Sequence, residues 1–136
     1  MIAWEYILSF LTLSAAILSA ATFGQAQERI SAAAMAISAL LSALLSSGTF
    51  VGPEKNIFLI DIALFSVLFK IALDSTKLWP LLACGFHLNA VLVHAASFFP
   101  IPFEPGAYAD SLVVWSHLAC LALAIGAWWE RPVCCR

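Results

Sequence analysis

Five stretches of this chain, at 2–23, 30–51, 57–73, 78–99 and 108–129, are apolar over lengths close to the hydrocarbon thickness of a bilayer. Crossing about 30 Å at about 1.5 Å per residue takes roughly 20 residues. In lipid every backbone amide must be satisfied within the protein, so segments of this length are helices. Together they take up nearly all of the 136 residues and leave no soluble catalytic domain. Composition agrees: 63% of residues are hydrophobic and 10% charged, whereas a soluble domain has about 45–50% and about 25%. This balance excludes a secreted disulfide scaffold and a disordered tail. The six Lys and Arg are scattered, with a net charge of -2, and offer no basic stripe to nucleic acid.

The expectation is therefore an all-α integral membrane protein, a single membrane-embedded domain of five transmembrane helices with short loops. The breaks at 24–29, 52–56, 74–77 and 100–106 carry Gly, Pro and charged residues and read as hairpin connections. The third stretch is the shortest and contains Asp61 and Lys70; a bundle of four crossings, with this segment on the surface, is the alternative. The start, Met1-Ile2-Ala3-Trp4-Glu5, is acidic where a cleaved signal needs a basic end, so the first stretch reads as retained. With five crossings, Arg29, Lys77, Arg131 and Arg136 fall on one side and Lys55 on the other. The positive-inside rule then places the N-terminus outside and the C-terminus in the cytoplasm. Trp4, Tyr6 and Tyr108 would sit in the outer aromatic belt, and Trp79, Trp128 and Trp129 in the inner one.

The second stretch carries small residues every fourth position, Ala34, Ser38, Ser42 and Ser46, with Ala16, Ala20 and Gly24 continuing a similar ridge on the first. Small-xxx-small ridges let helix backbones approach closely, either within the protein or toward another membrane subunit or a second copy. The chain shows no internal repeat of the kind that builds many carriers.

Ionisable groups at membrane depth are costly and are the natural functional candidates. They are Asp61, Lys70, His87, His94 and His117. His87 and His94 are two helical turns apart on one face, and antiparallel register puts Asp61 within about one turn of the level of His94. His87, His117, Cys84 and Cys120 share a layer further in. Three readings compete. His87 and His117 have the chemistry of axial ligands to a b-type haem, although adjacent helices 8–10 Å apart leave little room for a porphyrin. The two Cys and two His have the count of a metal set. Structurally, the histidines hydrogen-bond between helices, His94 to Asp61 and His87 to the neighbourhood of Asn89, Ser66 or Ser116. The last reading needs no cofactor and no metal. Lys70 stands one turn before Asp74, an i, i+4 pair near the membrane boundary.

In the tail Pro132-Val133-Cys134-Cys135-Arg136, no Cys stands fourth from the end, so a prenylation box is absent and the two thiols read as free or as acylation sites.

The order of these features resembles small multi-pass membrane proteins of bacteria that have no assigned function. The features are Asp61 in the third stretch, Lys77-Leu78-Trp79-Pro80 leading into a fourth with His87 and His94, a Pro-rich loop and a final Gly126-Ala127-Trp128-Trp129. The resemblance implies a bacterial inner membrane. Small multidrug transporters differ, because their first-helix glutamate lies deep in an apolar run and Glu5 lies at the terminus. The expected role is a non-enzymatic accessory or scaffold subunit of a larger membrane complex, such as an energy-transducing one. The alternatives are a small carrier or proton-conducting protein using Asp61 and His94, or a haem-binding electron-transfer subunit.

Overall fold

The computed structural model describes residues 3–46, 54–99 and 104–130, without the side chains of 3–6 and 105. The expectations for Trp4, Glu5, Tyr6, Cys134 and Cys135 fall outside that description. Five helices follow one another: α1 (Ala3–Phe23), α2 (Ala26–Leu45), α3 (Lys55–Asp74), α4 (Leu78–Ala96) and α5 (Pro105–Trp129), and no strand occurs among the described residues. Four of them, α2 to α5, are long and apolar enough to cross a membrane, and the described apolar run of α1 is Ile7–Phe23. The shortest stretch of the sequence, with Asp61 and Lys70, is thus a full 20-residue helix.

Helix α2 begins four residues before the apolar stretch at 30–51, and this corrects the reading of 24–29 as a loop. The Glu28 carboxylate turns back to accept the Gln25 N–H at 2.8 Å, which satisfies one of the amides that a helix start leaves without an acceptor. Only Gly24 and Gln25 make the turn. A Cβ on Gly24 would lie 2.5 Å from the Ala20 carbonyl oxygen and 2.6 Å from Glu28 Cβ, so the close turn requires glycine. Pro80 falls in the first turn of α4, where its missing N–H has no intrahelical partner to lose. Glu104 caps α5, its carboxylate accepting the Ala107 N–H at 2.6 Å.

Neighbours in sequence pack side by side, α4 on α5 most extensively, and α5 returns to pack on α1, closing a ring of five helices; α2 also meets α5 across the interior. One end of the bundle holds the starts of α1, α3 and α5, and is here termed the N-terminal end. The other holds the α1–α2 and α3–α4 turns and is termed the Glu28 end. Between mid-bundle and the Glu28 end the interior is filled by small and aliphatic side chains, among them Ala16, Ala20, Met35, Leu68, Ala83 and Leu123. The outer surface carries the large apolar groups: Phe10, Leu44, Leu59, Leu81 and Trp129 are all more than half exposed. With alanine the commonest buried residue and most leucines on the outside, the bundle suits hydrocarbon surroundings, where close backbone packing holds helices together and no apolar surface needs hiding.

Ala34, Ser38, Ser42 and Ser46 are all half-buried. The tightest contacts of α2 run along Glu28, Ser31, Ala32 and Met35 instead, because the ring turns that stripe, offset from the ridge, toward its neighbours.

A candidate proton-exchange site in a central cavity

Asp61 lies in the second turn of α3, and the adjacent α4 presents His87 and His94 from one face, two turns apart. The carboxylate reaches His94, with Oδ2 3.0 Å from Nε2, while Oδ1 stands 3.8 Å from His87 Nε2. His87 Nε2 lies 3.1 Å from the Asp61 carbonyl oxygen, which can only accept, so Nε2 carries the hydrogen. The expected neighbours of His87 are otherwise engaged: Asn89 donates to the Gly85 carbonyl and Ser66 to that of Ile62. A helical hydroxyl or amide finds the carbonyl one turn back before it reaches a neighbouring helix.

Tyr108, at the start of α5, completes the cluster. Its hydroxyl lies 2.6 Å from His94 Nδ1, and it is 5% exposed. This corrects its assignment to an aromatic belt, since the ring turns inward to meet an acceptor that no interface would supply. With a neutral ring, Tyr108 O–H donates to Nδ1 and Nε2–H donates to Asp61. His94 is 3% exposed, with Tyr108 edge-on at 5.6 Å and Phe58 at 6.3 Å between ring centres. Phe98 backs Phe58 at 5.2 Å. The imidazole is therefore fixed in orientation by apolar rings and by hydrogen bonds at both nitrogens.

Asp61 and His87 form part of the wall of a partly open cavity of about 210 Å³ lined by residues of all five helices. The other polar lining comes from Ser9, Thr12, Ser38, Ser42, Ser116, His117 and Cys120, and the apolar lining from Leu13, Met35, Ala39, Leu64 and Ala119. His117 donates from Nδ1 to the Val113 carbonyl, and its Nε2 faces the Ser9 hydroxyl at 3.5 Å. The two histidines with axial-ligand chemistry thus share the cavity, each bonded within the protein. Cys120 lines the cavity, whereas Cys84 is buried in the apolar core away from it. Among the described residues no three His, Cys, Asp or Glu side chains converge as a metal set.

The arrangement can move a proton by changing which nitrogen of His94 carries it. A proton arriving at the Tyr108 oxygen lets its own hydrogen pass to His94 Nδ1. The hydrogen on Nε2 then passes to Asp61, leaving a neutral ring and a protonated carboxyl beside the cavity.

The Glu28 end holds a second buried ionisable cluster. Glu28, 1% exposed, receives Lys77 Nζ at 2.6 Å and Trp79 Nε1 at 3.0 Å on the same oxygen. Trp79 is 2% exposed, so it too is corrected from interfacial belt to core; its indole N–H needs an acceptor, and Glu28 supplies it from the next turn of the ring. The Leu78 N–H donates to Glu130 at 3.3 Å. A lone Glu in an apparent loop carries no signal of burial; the only hint is that Gln25 and Glu28 have capping-box spacing.

Fold and site define a ring of helices with an apolar plug at one end and, toward the other, a largely apolar cavity that carries a few ionisable groups, an arrangement that fits a multi-pass membrane protein. No protein family, curated protein or solved structure matches the chain.

Proposed function

We propose that this chain is a five-span protein of a bacterial inner membrane, with its N-terminus outside, that works as a small proton-exchanging carrier. The observation that carries the reading is the line Tyr108–His94–Asp61, which leads from the N-terminal end of the bundle to a cavity at its middle whose wall also holds His87. A carboxylate at membrane depth is costly to keep. A purely structural role would be met by a neutral side chain, whereas a titratable one with a relay to the rim suits proton uptake. On this reading the positive-inside rule puts the rim outside. The apolar plug and the Glu28 cluster block the cytoplasmic end in this conformation, as alternating access requires.

Liposomes reconstituted with the protein, given a pH gradient and a permeant counter-ion, test this. Wild-type liposomes should collapse the gradient faster than empty ones, and Asp61→Asn liposomes of equal protein content should behave as empty. Equal rates for wild type and Asp61→Asn would reject the proposal.

A second reading, an accessory subunit, is favoured by a groove between α1 and α2 on the outer surface, lined by Ile17, Ala20, Ala21, Ala32, Ala33 and Ala36 together with Arg29. Small residues there allow another helix to approach closely. A second polypeptide retained in fixed ratio through mild-detergent purification, with no Asp61-dependent proton movement, would favour this reading.

A further inference from the structure

We infer that the central cavity binds a small organic cation, a protonated amine with an apolar body, and that Asp61 is its counter-ion. The inference rests on the carrier reading and names its substrate class. The charge of the site comes first: the cavity wall holds one carboxylate and no Lys or Arg. Of the two oxygens of that carboxylate, Oδ2 is taken by His94, while Oδ1 has only His87 Nε2 at 3.8 Å, beyond hydrogen-bond reach. His87 Nε2 is already directed at the Asp61 carbonyl. One anionic acceptor is therefore free at the wall.

The hydroxyls point the same way. Thr22, Ser66 and Ser111 turn back to carbonyls of their own helices, and so does Thr12 in the cavity. Ser38, Ser42 and Ser116 also line the cavity, where their oxygens can accept from the N–H groups of an ammonium. Size and polarity exclude a bare metal ion as the fitted ligand. About 210 Å³ is far more than one dehydrated ion fills, yet below the ~300–1,000 Å³ of sites for drug-sized ligands. Leu13, Met35 and Leu64 supply an apolar side for a hydrocarbon body. Bound against Oδ1, a cation competes with the proton that the relay delivers to the same carboxylate, so amine and proton exchange at one group.

Isothermal titration of the full chain in nanodiscs tests this with cyclohexylammonium, cyclohexanol and sodium ion as separate probes. Cyclohexylammonium should bind one to one, at least tenfold tighter than the other two. Asp61→Asn should weaken it at least tenfold, and Ser42→Leu, which fills the cavity without touching the carboxylate, should also weaken it. Cyclohexanol binding as tightly as the amine, or amine affinity unchanged in either folded variant, would overturn the inference; if Asp61→Asn does not fold, Ser42→Leu and the cyclohexanol comparison decide. Gradient collapse that depends on Asp61, together with no amine binding, would reject the amine and leave the proton reading standing. Amine binding that depends on Asp61, with no proton movement, would support the amine site and reject the proton reading.

Discussion

At Gly126 the α5 backbone passes so close to α4 that a Cβ would lie 2.2 Å from Trp79 Cβ and 2.3 Å from Cγ. Both atoms are near the α4 backbone and cannot swing aside, so Gly126→Ala must push the two helices apart. The expected cost is about 1–3 kcal/mol, read as a lowered unfolding midpoint in detergent. Trp79→Phe keeps both clashing atoms and should give no relief in the double variant. The same residue scale shows what the sequence does and does not reveal. The Asp61–His94 contact follows from counting residues on either side of a short turn, because a tight antiparallel hairpin fixes relative depth. The inward turn of Tyr108 and Trp79 does not follow, since an aromatic near a helix end suits a membrane interface equally well and only the presence of His94 or Glu28 on a neighbouring helix decides.

Among the elements, the starts of α2 and α4 are held together by Glu28, Lys77 and Trp79, whereas the Lys70–Asp74 pair lies along the outside of α3 with side chains 71% and 56% exposed. These two ion pairs should behave differently. Glu28→Ala strands a buried indole N–H and a lysine 21% exposed, and removing one partner of a buried pair costs about 3–5 kcal/mol. Lys70→Ala should cost no more than about 0.5 kcal/mol, as for exposed pairs one turn apart. Thermal unfolding of both variants checks the contrast, and equal losses would contradict the assignment of Glu28 as the interior tie. Helix positions were largely legible from hydropathy, with the α2 start displaced because polar residues of a first turn look like loop. The closing of α5 onto α1 was not. An apolar helix in lipid has no solvent-facing side to mark its rotation, so its partners are set by small-residue contacts that sequence spacing alone does not rank.

For the whole molecule, polar groups and cavity gather in one half and apolar filling and the Glu28 cluster in the other. With five crossings this asymmetry is also an asymmetry across the membrane, and reporter fusions at the two ends of the chain should give opposite signals; the same signal at both ends would contradict five crossings. On the proposed function, Asp61, His94 and Tyr108 take up and release a proton as one hydrogen-bonded unit. Infrared difference spectra between acidic and alkaline pH, recorded on the purified chain in lipid, test it most directly. Acidification should give a protonated-carboxyl C=O band that is missing in Asp61→Asn and shifted in both His94→Gln and Tyr108→Phe. A spectrum without that band, or an Asp61 band unmoved by either partner variant, would contradict it.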